Sequence, residues 1–403
     1  LAIMIDFGER EFRLQTNPAV FYVTDHYAGY PLILVRLAKV DPADLRALVR
    51  GAWRMVAPNS APWIMQILTF VQIDFYQSPL RRKLMAEMPK LTDSLRLARL
   101  QLPAGKVRMV LDTDTYNEVD DQFALVYALL SPERMTVEAI YAAPFHNKRS
   151  NGPADGMERS YEEIMRLLDK MAWPAAGLVY RGATAYLDKS RQPQRSAAVD
   201  DLISRALASP DDDPLYVVAI GAITNIASAI LLEPRIIEKI VVVWLGGHAL
   251  YWPHTVEFNL KQDVVAAQIV FDCGVPLVHV PCLPITSHLA TTISELEDYV
   301  SGRGAIGDYL TNIVKGYHDD HTGWSKPLWD VSTIAYLVNP AWVPTDLVHS
   351  PILTDNVTWS VDHARHLIRY ATFIHRDPIF RDLFAKLAAA SGREQELEVS
   401  LAS

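Results

Sequence analysis

The stretch VRMVLDTDTYNEVDDQFALVYALL, Val107–Leu130, reads as a strand, a loop and a helix in immediate succession. Its first part is a compact apolar run that ends in acids, as a buried parallel strand should where it meets a ligand cleft. Asp112 and Asp114 stand two apart on that run, so they leave it on one face. Asp120 and Asp121 then open the helix. Four carboxylates gathered by one strand-loop-helix repel strongly in a poorly solvated cleft unless a cation neutralises them. All-oxygen ligation favours calcium or magnesium over zinc. A plainer reading makes Asp120 an N-cap, Asp121 a first-turn residue favoured by the helix dipole, and Asp112 and Asp114 solvated acids.

Outward from this stretch, the same grammar repeats. TVEAIYAA, LYVVAIG, IVVVWLGG and PLVHVPC are further short apolar runs ending in polar or glycine-containing turns. Between them Asp121–Leu130, Ser160–Asp169, Ile223–Leu232 and Val264–Phe271 carry helix-compatible periodicity. Alternating strands and helices predict an α/β domain over residues 106–390, built on an open, mostly parallel doubly wound sheet. Ligands then bind beyond the carboxyl ends of the strands. Residues 1–105 lack this alternation; helix-friendly stretches such as Asp41–Arg54 and Arg81–Leu100 predict a mostly helical extension, bounded by the Pro103-Ala104-Gly105 turn. Residues 391–403 read as a polar tail that frays or forms a short surface helix.

The 403 residues are half hydrophobic, enough for a sizeable core, and carry a formal charge of -9. Without a long Lys/Arg run this gives no footprint for a phosphate backbone, so nucleic acid is not expected as a partner. The longest apolar run, Ala61–Phe75, is too short to span a membrane comfortably and includes Gln66, Gln72 and Asp74. Only Cys273 and Cys282 occur. They form neither a disulfide framework nor a metal finger, which suits a reducing compartment and makes the cytoplasm the expected location. The chain opens at Leu1 with neither an initiator Met nor a signal pattern, so the natural start is expected upstream.

Two family resemblances compete for the acidic stretch. DTDT resembles the nucleophile motif of the haloacid dehalogenase-like phosphatases, which would imply a magnesium-dependent phosphatase. That motif wants Thr or Val where Tyr116 stands, and no partner Lys and acidic pair follows in the expected order. The stretch as a whole resembles the opening DxDxxxDDxxA of the inosine-uridine-preferring nucleoside hydrolases, with the Thr115–Val119 loop two residues longer. GAITNIASAI (Gly221–Ile230) resembles that family's GPLTNIALAL. VWLGGHALYWPHTVEFNLKQDVVAAQIVF resembles its GG…EFN…D…AA…V segment, and WDVSTIAYLVNP its HDPLAVAYLLDP. Four blocks in family order, covering residues 107–345, make this the stronger resemblance.

The resemblance implies a calcium-dependent nucleoside N-ribohydrolase and, as is common in the family, a homo-oligomer. It implies Asp114, Asp121, the Ile220 carbonyl and Asp330 as calcium ligands, with Asp114 also taking a proton from the attacking water on the way to an oxocarbenium-like sugar. Asp112 becomes an orienting neighbour. Asn117, Asp120, Asn147, Glu257 and Asn259 correspond to the ribose-binding positions, and Asn225 reads as a helix-start residue. Three positions depart from the family. Ile220 replaces a Thr and Tyr251 an Asn that binds sugar. Trp329 replaces the His that in many members helps protonate the leaving base, which makes it a candidate to stack on the substrate instead. His146, His318 and His321 remain as alternative acids. A nucleoside- or ribose-binding relative without turnover is the third reading.

Overall fold

The structure is a computed structural model that describes residues 2–24, 28–37, 39–41, 44–45, 47–49, 51–52 and 88–402. The chain separates into two compact units, Leu1–Leu84 and Met85–Ser403.

In the first unit, β1 (Ala2–Met4), β2 (Phe21–Tyr22) and β3 (Leu32–Val35) form an antiparallel sheet in the order β1-β3-β2. The helix Phe7–Thr16 is capped by Asp6, whose carboxylate accepts the Glu9 N–H at 2.9 Å. Ile3, Ile5, Phe21, Ile33, Val35, Leu45 and Leu48 make its core. The expectation of a mostly helical extension is corrected for residues 2–35. Strands of two to four residues are too short for a period-2 pattern to stand out, and cross-strand pairing completes them. Of Asp41–Arg54, residues 44–45, 47–49 and 51–52 are helical. Ala61–Phe75 lies outside the described residues.

The second unit begins earlier than the Pro103-Ala104-Gly105 turn. Of Arg81–Leu100, residues 81–87 lie outside the description, and a helix covers only Asp93–Arg99. Its arginines are buried. Arg96 donates to the Gly274 carbonyl at 2.8 Å, and Arg99 to the carbonyls of Asp211 at 2.7 Å and Glu238 at 3.1 Å. Carbonyls from far along the chain make this segment part of the α/β unit.

The sheet is built from β4 (Val107–Thr113), β5 (Met135–Ala142), β6 (Val179–Arg181), β7 (Leu215–Ala219), β8 (Ile240–Leu245) and β9 (Leu277–Val280), all mutually parallel. After the small pair β10 (Ala290–Thr291) and β11 (Lys326–Pro327) come β12 (Thr345–His349), β13 (Ile352–Leu353), β14 (Trp359–Ser360) and β15 (Leu367–Ala371). The order of the large sheet is β12-β15-β9-β8-β7-β4-β5-β6, with β12 antiparallel to β15. The five strands read from sequence are β4, β5, β7, β8 and β9. Helices Asp121–Leu129, Pro153–Lys170, Thr224–Leu232 and Val264–Asp272 contain the expected segments to within a residue or two.

The chain runs from β4 outward through β5 and β6, then returns to the other side of β4 for β7 and continues to β8 and β9. A crevice therefore opens between the carboxyl ends of β4 and β7, where successive crossovers diverge. The last helix, Arg376–Ala402, runs through residue 391 without a break, so residues 391–402 are helical, continuing that helix instead of fraying. The Ala- and Glu-rich run from Ala388 to Glu398 has the propensity to carry a helix onward. Among the described residues no helix is long and apolar enough to cross a membrane.

Candidate active site

At the switch point, β4 delivers Asp112, Thr113 and Asp114, all fully buried. The backbone then turns, with the Asn117 N–H on the Asp114 carbonyl at 2.7 Å, and enters the helix at Asp121. Asp120 stands at the N-cap position but makes no side-chain cap bond. Asp120, Asp121 and Asp330 place carboxylate oxygens within 4.8 Å of one another, all buried. Asp330 arrives from the turn before helix Val331–Val338. Solvated, capping acids are thus not what the chain builds here.

Asp114, Asp120, Asp330, Asn117, Glu118 and the Ile220 region line one cavity of about 100 Å³. Both oxygens of the Asp114 carboxylate are buried without a hydrogen-bond partner. Burial, and then the neighbouring charges of Asp121 and Asp120, push its pKa well above the usual carboxylate range. Asp330 is raised for the same reasons. Asp121 is pushed up to about 8, by burial first and Asp120 second, although Thr113 Oγ1 donates to it at 2.5 Å. Buried acids with orphaned oxygens that resist ionisation together are an oxygen-only donor set for a hard cation. The residues present therefore fit such an ion.

The opposite wall comes from β7 and β8. The Ile220 carbonyl accepts from Asn259 Nδ2 at 3.1 Å, and the same amide donates to the Leu245 carbonyl at 3.1 Å. Two carbonyl partners leave no choice about which end of the Asn259 amide is nitrogen. Gly221 follows; a Cβ there would meet the Asp114 carboxyl carbon and backbone nitrogen at 3.1 Å, tighter than an ordinary contact, so a side chain at this position would press on Asp114. Glu257 caps the helix Phe258–Gln262 and accepts the N–H groups of Gly247 (2.7 Å), Asn259 (2.9 Å) and Leu260 (3.0 Å). Gly247 sits at φ +73, in a turn that needs the left-handed conformation.

The family model for inosine-uridine preferring nucleoside hydrolase matches residues 109–377. The chain belongs to the inosine-uridine preferring nucleoside hydrolase family. It is accordingly an enzyme of the nucleoside N-ribohydrolase class. Among curated relatives it is 28% identical over 263 residues to the pyrimidine-specific ribonucleoside hydrolase RihA of Salmonella schwarzengrund, covering 58% of this chain and 79% of that one. Over a shorter 163 residues it is 30% identical to the putative pyrimidine-specific ribonucleoside hydrolase RihB of Shigella boydii, covering 39% and 66%. In fold it is similar to the purine-preferring ribonucleoside hydrolase from Gardnerella vaginalis (TM-score 0.57, 22% identity, 70% of this chain and 99% of that one). It is likewise similar to a plant nucleoside hydrolase, PpNRh1 (TM-score 0.56, 21% identity, 70% and 99%). Family membership displaces the phosphatase reading of DTDT.

Within that family frame, the residues singled out from sequence fall into groups. Asp114, Asp120, Asp330, Asn117, Ile220, Glu257, Asn259 and Trp329 all line the cavity. Asp121 joins through the acidic triad. Asn147 supports from behind, donating to Asn117 Oδ1 at 2.7 Å. Asp112 accepts from Asn225 Nδ2 at 2.7 Å, and Asn225 Oδ1 accepts the Ala183 N–H at 2.8 Å. Asn225 is therefore a bridge between β4 and the segment after β6, not a helix cap, because its side chain points across the sheet end. Tyr251 is 70% exposed and does not line the cavity, nor do His146, His318 and His321. His318 instead stacks on Trp324.

Trp329 lines the cavity, but the Lys326 ammonium sits 4.1 Å from its ring centroid, so one face is already covered. Its indole nitrogen is buried without a partner. Sequence reading missed Glu118, Leu245, Phe258, Cys282 and Lys326. The first four line the cavity. Lys326 pairs with Glu118 and lies 3.8 Å from Asp120 Oδ1. The signal for Glu118 was its place inside the lengthened loop; Lys326 stands four residues before Asp330, just outside the segment that carried the resemblance.

Proposed function

We propose that this chain hydrolyses the N-glycosidic bond of ribonucleosides in a calcium-dependent reaction in which Asp114 is the general base. The observation that carries this reading is the Asp114 carboxylate, buried with both oxygens unpartnered in a cavity also lined by Asp120 and Asp330, which cluster with Asp121. Asp114, Asp121, Asp330 and the Ile220 carbonyl would hold the calcium ion. When bound, the ion supplies a lowered pKa for water and a grip on vicinal hydroxyls. With the charge of its acidic neighbours neutralised, Asp114 would be ionised and able to accept the proton of the attacking water. The surrounding carboxylates favour the positive charge that develops on the sugar as the C–N bond breaks. Asn117 and Asp120 bind the ribose hydroxyls, with Asn147 holding Asn117 in place. Glu257 keeps Asn259 and the Gly247 turn in register. Leu245, Phe258, Cys282 and Trp329 give the cavity its apolar part, which excludes bulk water.

The test is hydrolysis of a ribonucleoside panel and nitrophenyl riboside by the full chain, before and after chelation and after return of calcium or magnesium. Activity lost on chelation and restored best by calcium supports the reading, as does strong preference for ribosides over 2′-deoxyribosides. Riboside hydrolysis indifferent to chelator would overturn it.

A further inference from the structure

The acids that line the cavity have a buried cation beside them. Lys326, on β11, is 2% exposed, and a buried ammonium is costly unless paired. Its pairing is with the site itself. Nζ makes an ion pair with Glu118, approaches Asp120 Oδ1 at 3.8 Å, and faces the rings of Trp329 at 4.1 Å and Tyr317 at 5.0 Å. Among the described residues it is the one base ion-paired to the Asp120–Asp121–Asp330 group. Burial lowers its pKa, but Asp120 and Glu118 more than offset that, and the net direction is upward.

Two consequences follow from this placement. Through Glu118, which lies in the 115–119 loop, Lys326 ties that loop to the strand leading into Asp330. It also partly neutralises Asp120 before any divalent ion arrives, and it repels that ion once it does. We propose that Lys326 is a resident counter-cation of the acidic cluster, a positioning residue that holds Asp120 and its loop ready while weakening the affinity for the divalent ion. Metal binding is then tuned to be reversible instead of maximal. This rests on the reading of the cluster as a divalent-cation site.

The experiment is calcium titration calorimetry and thermal melting, with and without calcium, on the full chain and its Lys326→Met, Lys326→Gln and Lys326→Arg variants. Lys326→Met and Lys326→Gln should bind calcium more tightly, by at least several-fold, the least expected of one unit charge acting on a nearby divalent ion even at a water-like dielectric. Their calcium-free melting temperature should fall, and the rise on adding calcium should exceed that of the unaltered chain. Lys326→Arg, which keeps the charge, should stay within about threefold of the unaltered affinity. A merely structural lysine would weaken binding and lower both melting temperatures equally. Unchanged or weaker calcium binding in both neutral variants overturns the proposal. If neither folds in chelator, rescue by calcium supports it, and failure to fold in calcium overturns it. No calcium binding by the unaltered chain overturns the divalent-site reading and this inference together.

Discussion

Asp112 and Asp114 leave the same face of β4 two residues apart, yet they end in different circumstances. Asp112 gives one oxygen to Asn225, and burial holds its pKa at about 7. Asp114 keeps both oxygens free toward the cavity. As the proposed base, Asp114→Asn should lower kcat on nitrophenyl riboside by roughly a hundred- to ten-thousandfold, the usual contribution of acid–base catalysis. A loss below threefold would exclude the role. Asp121→Ala should weaken calcium binding by more than the roughly 10–100-fold that loss of an outer partner costs, since a proposed ligand is removed; calorimetry reads this directly. Trp329 poses a different question. Its covered face and unpartnered N–H favour hydrogen bonding over stacking, so Trp329→Phe should raise KM about three- to tenfold, the worth of one hydrogen bond, with kcat little changed. An unaltered KM would leave the indole N–H without a part in binding.

At the scale of elements, the site depends on how helices are started. Asp263 caps Val264–Asp272 by accepting the Ala266 N–H at 2.8 Å, and it also takes the Leu187 N–H at 2.8 Å and Thr224 Oγ1 at 2.7 Å. One carboxylate thus fixes two helix starts and a loop, including the Thr224–Leu232 helix that follows Gly221. Asp263→Ala should cost about 3 kcal/mol or more, summing a cap and two further charge-assisted bonds; urea unfolding is the measurement, and a loss under about 1 kcal/mol would contradict it. The Asp93–Arg99 helix supplies a second case. A chain starting at residue 85 keeps the Arg96 and Arg99 bonds and the 2.7 Å bond from Arg369 Nε to the Leu100 carbonyl, whereas one starting at residue 106 loses them all. The shorter chain should be less stable by roughly 5 kcal/mol, at about 1.5 kcal/mol or more per charged donor.

For the whole molecule, the acidic cluster sets a pH dependence. Asp121 in the folded, metal-free protein has its pKa raised to about 8 from the ordinary 3.8, and Asp114 and Asp330 shift in the same direction. Folding therefore takes up protons between these values. The stability this contributes is complete below the ordinary carboxylate pKa and is lost as pH rises toward about 8. Chelated protein should melt progressively lower from pH 5 to pH 8, and calcium-saturated protein should not, because the ion favours the charged form. Calcium binding near pH 7 should release protons, seen as a heat that varies with the buffer's ionisation enthalpy. Identical melting profiles with and without calcium across that range would defeat the assignment of the cluster to a divalent ion.

Short apolar strands ending in acids and glycines, alternating with helical periods, are local patterns, and they determined the parallel sheet and the place of its cleft. Four motif blocks carried the resemblance that located Asp114, Asp120, Asp121, Asp330 and the Glu257–Asn259 pair. What those residues touch was decided only by tertiary structure. Nothing near Asn225 in sequence announces that its amide bridges Asp112 and Ala183, since those partners come from other strands. Glu257 looks like a sugar ligand beside Asn259, yet three backbone N–H groups converge on it. Lys326 becomes the cluster's counter-cation because β11 delivers it against a loop far earlier in the chain, 208 residues after Glu118. The first unit's strands likewise needed partners to be strands at all. Local preference sets the elements, while burial and charge, which act between distant segments, assign the work of each side chain.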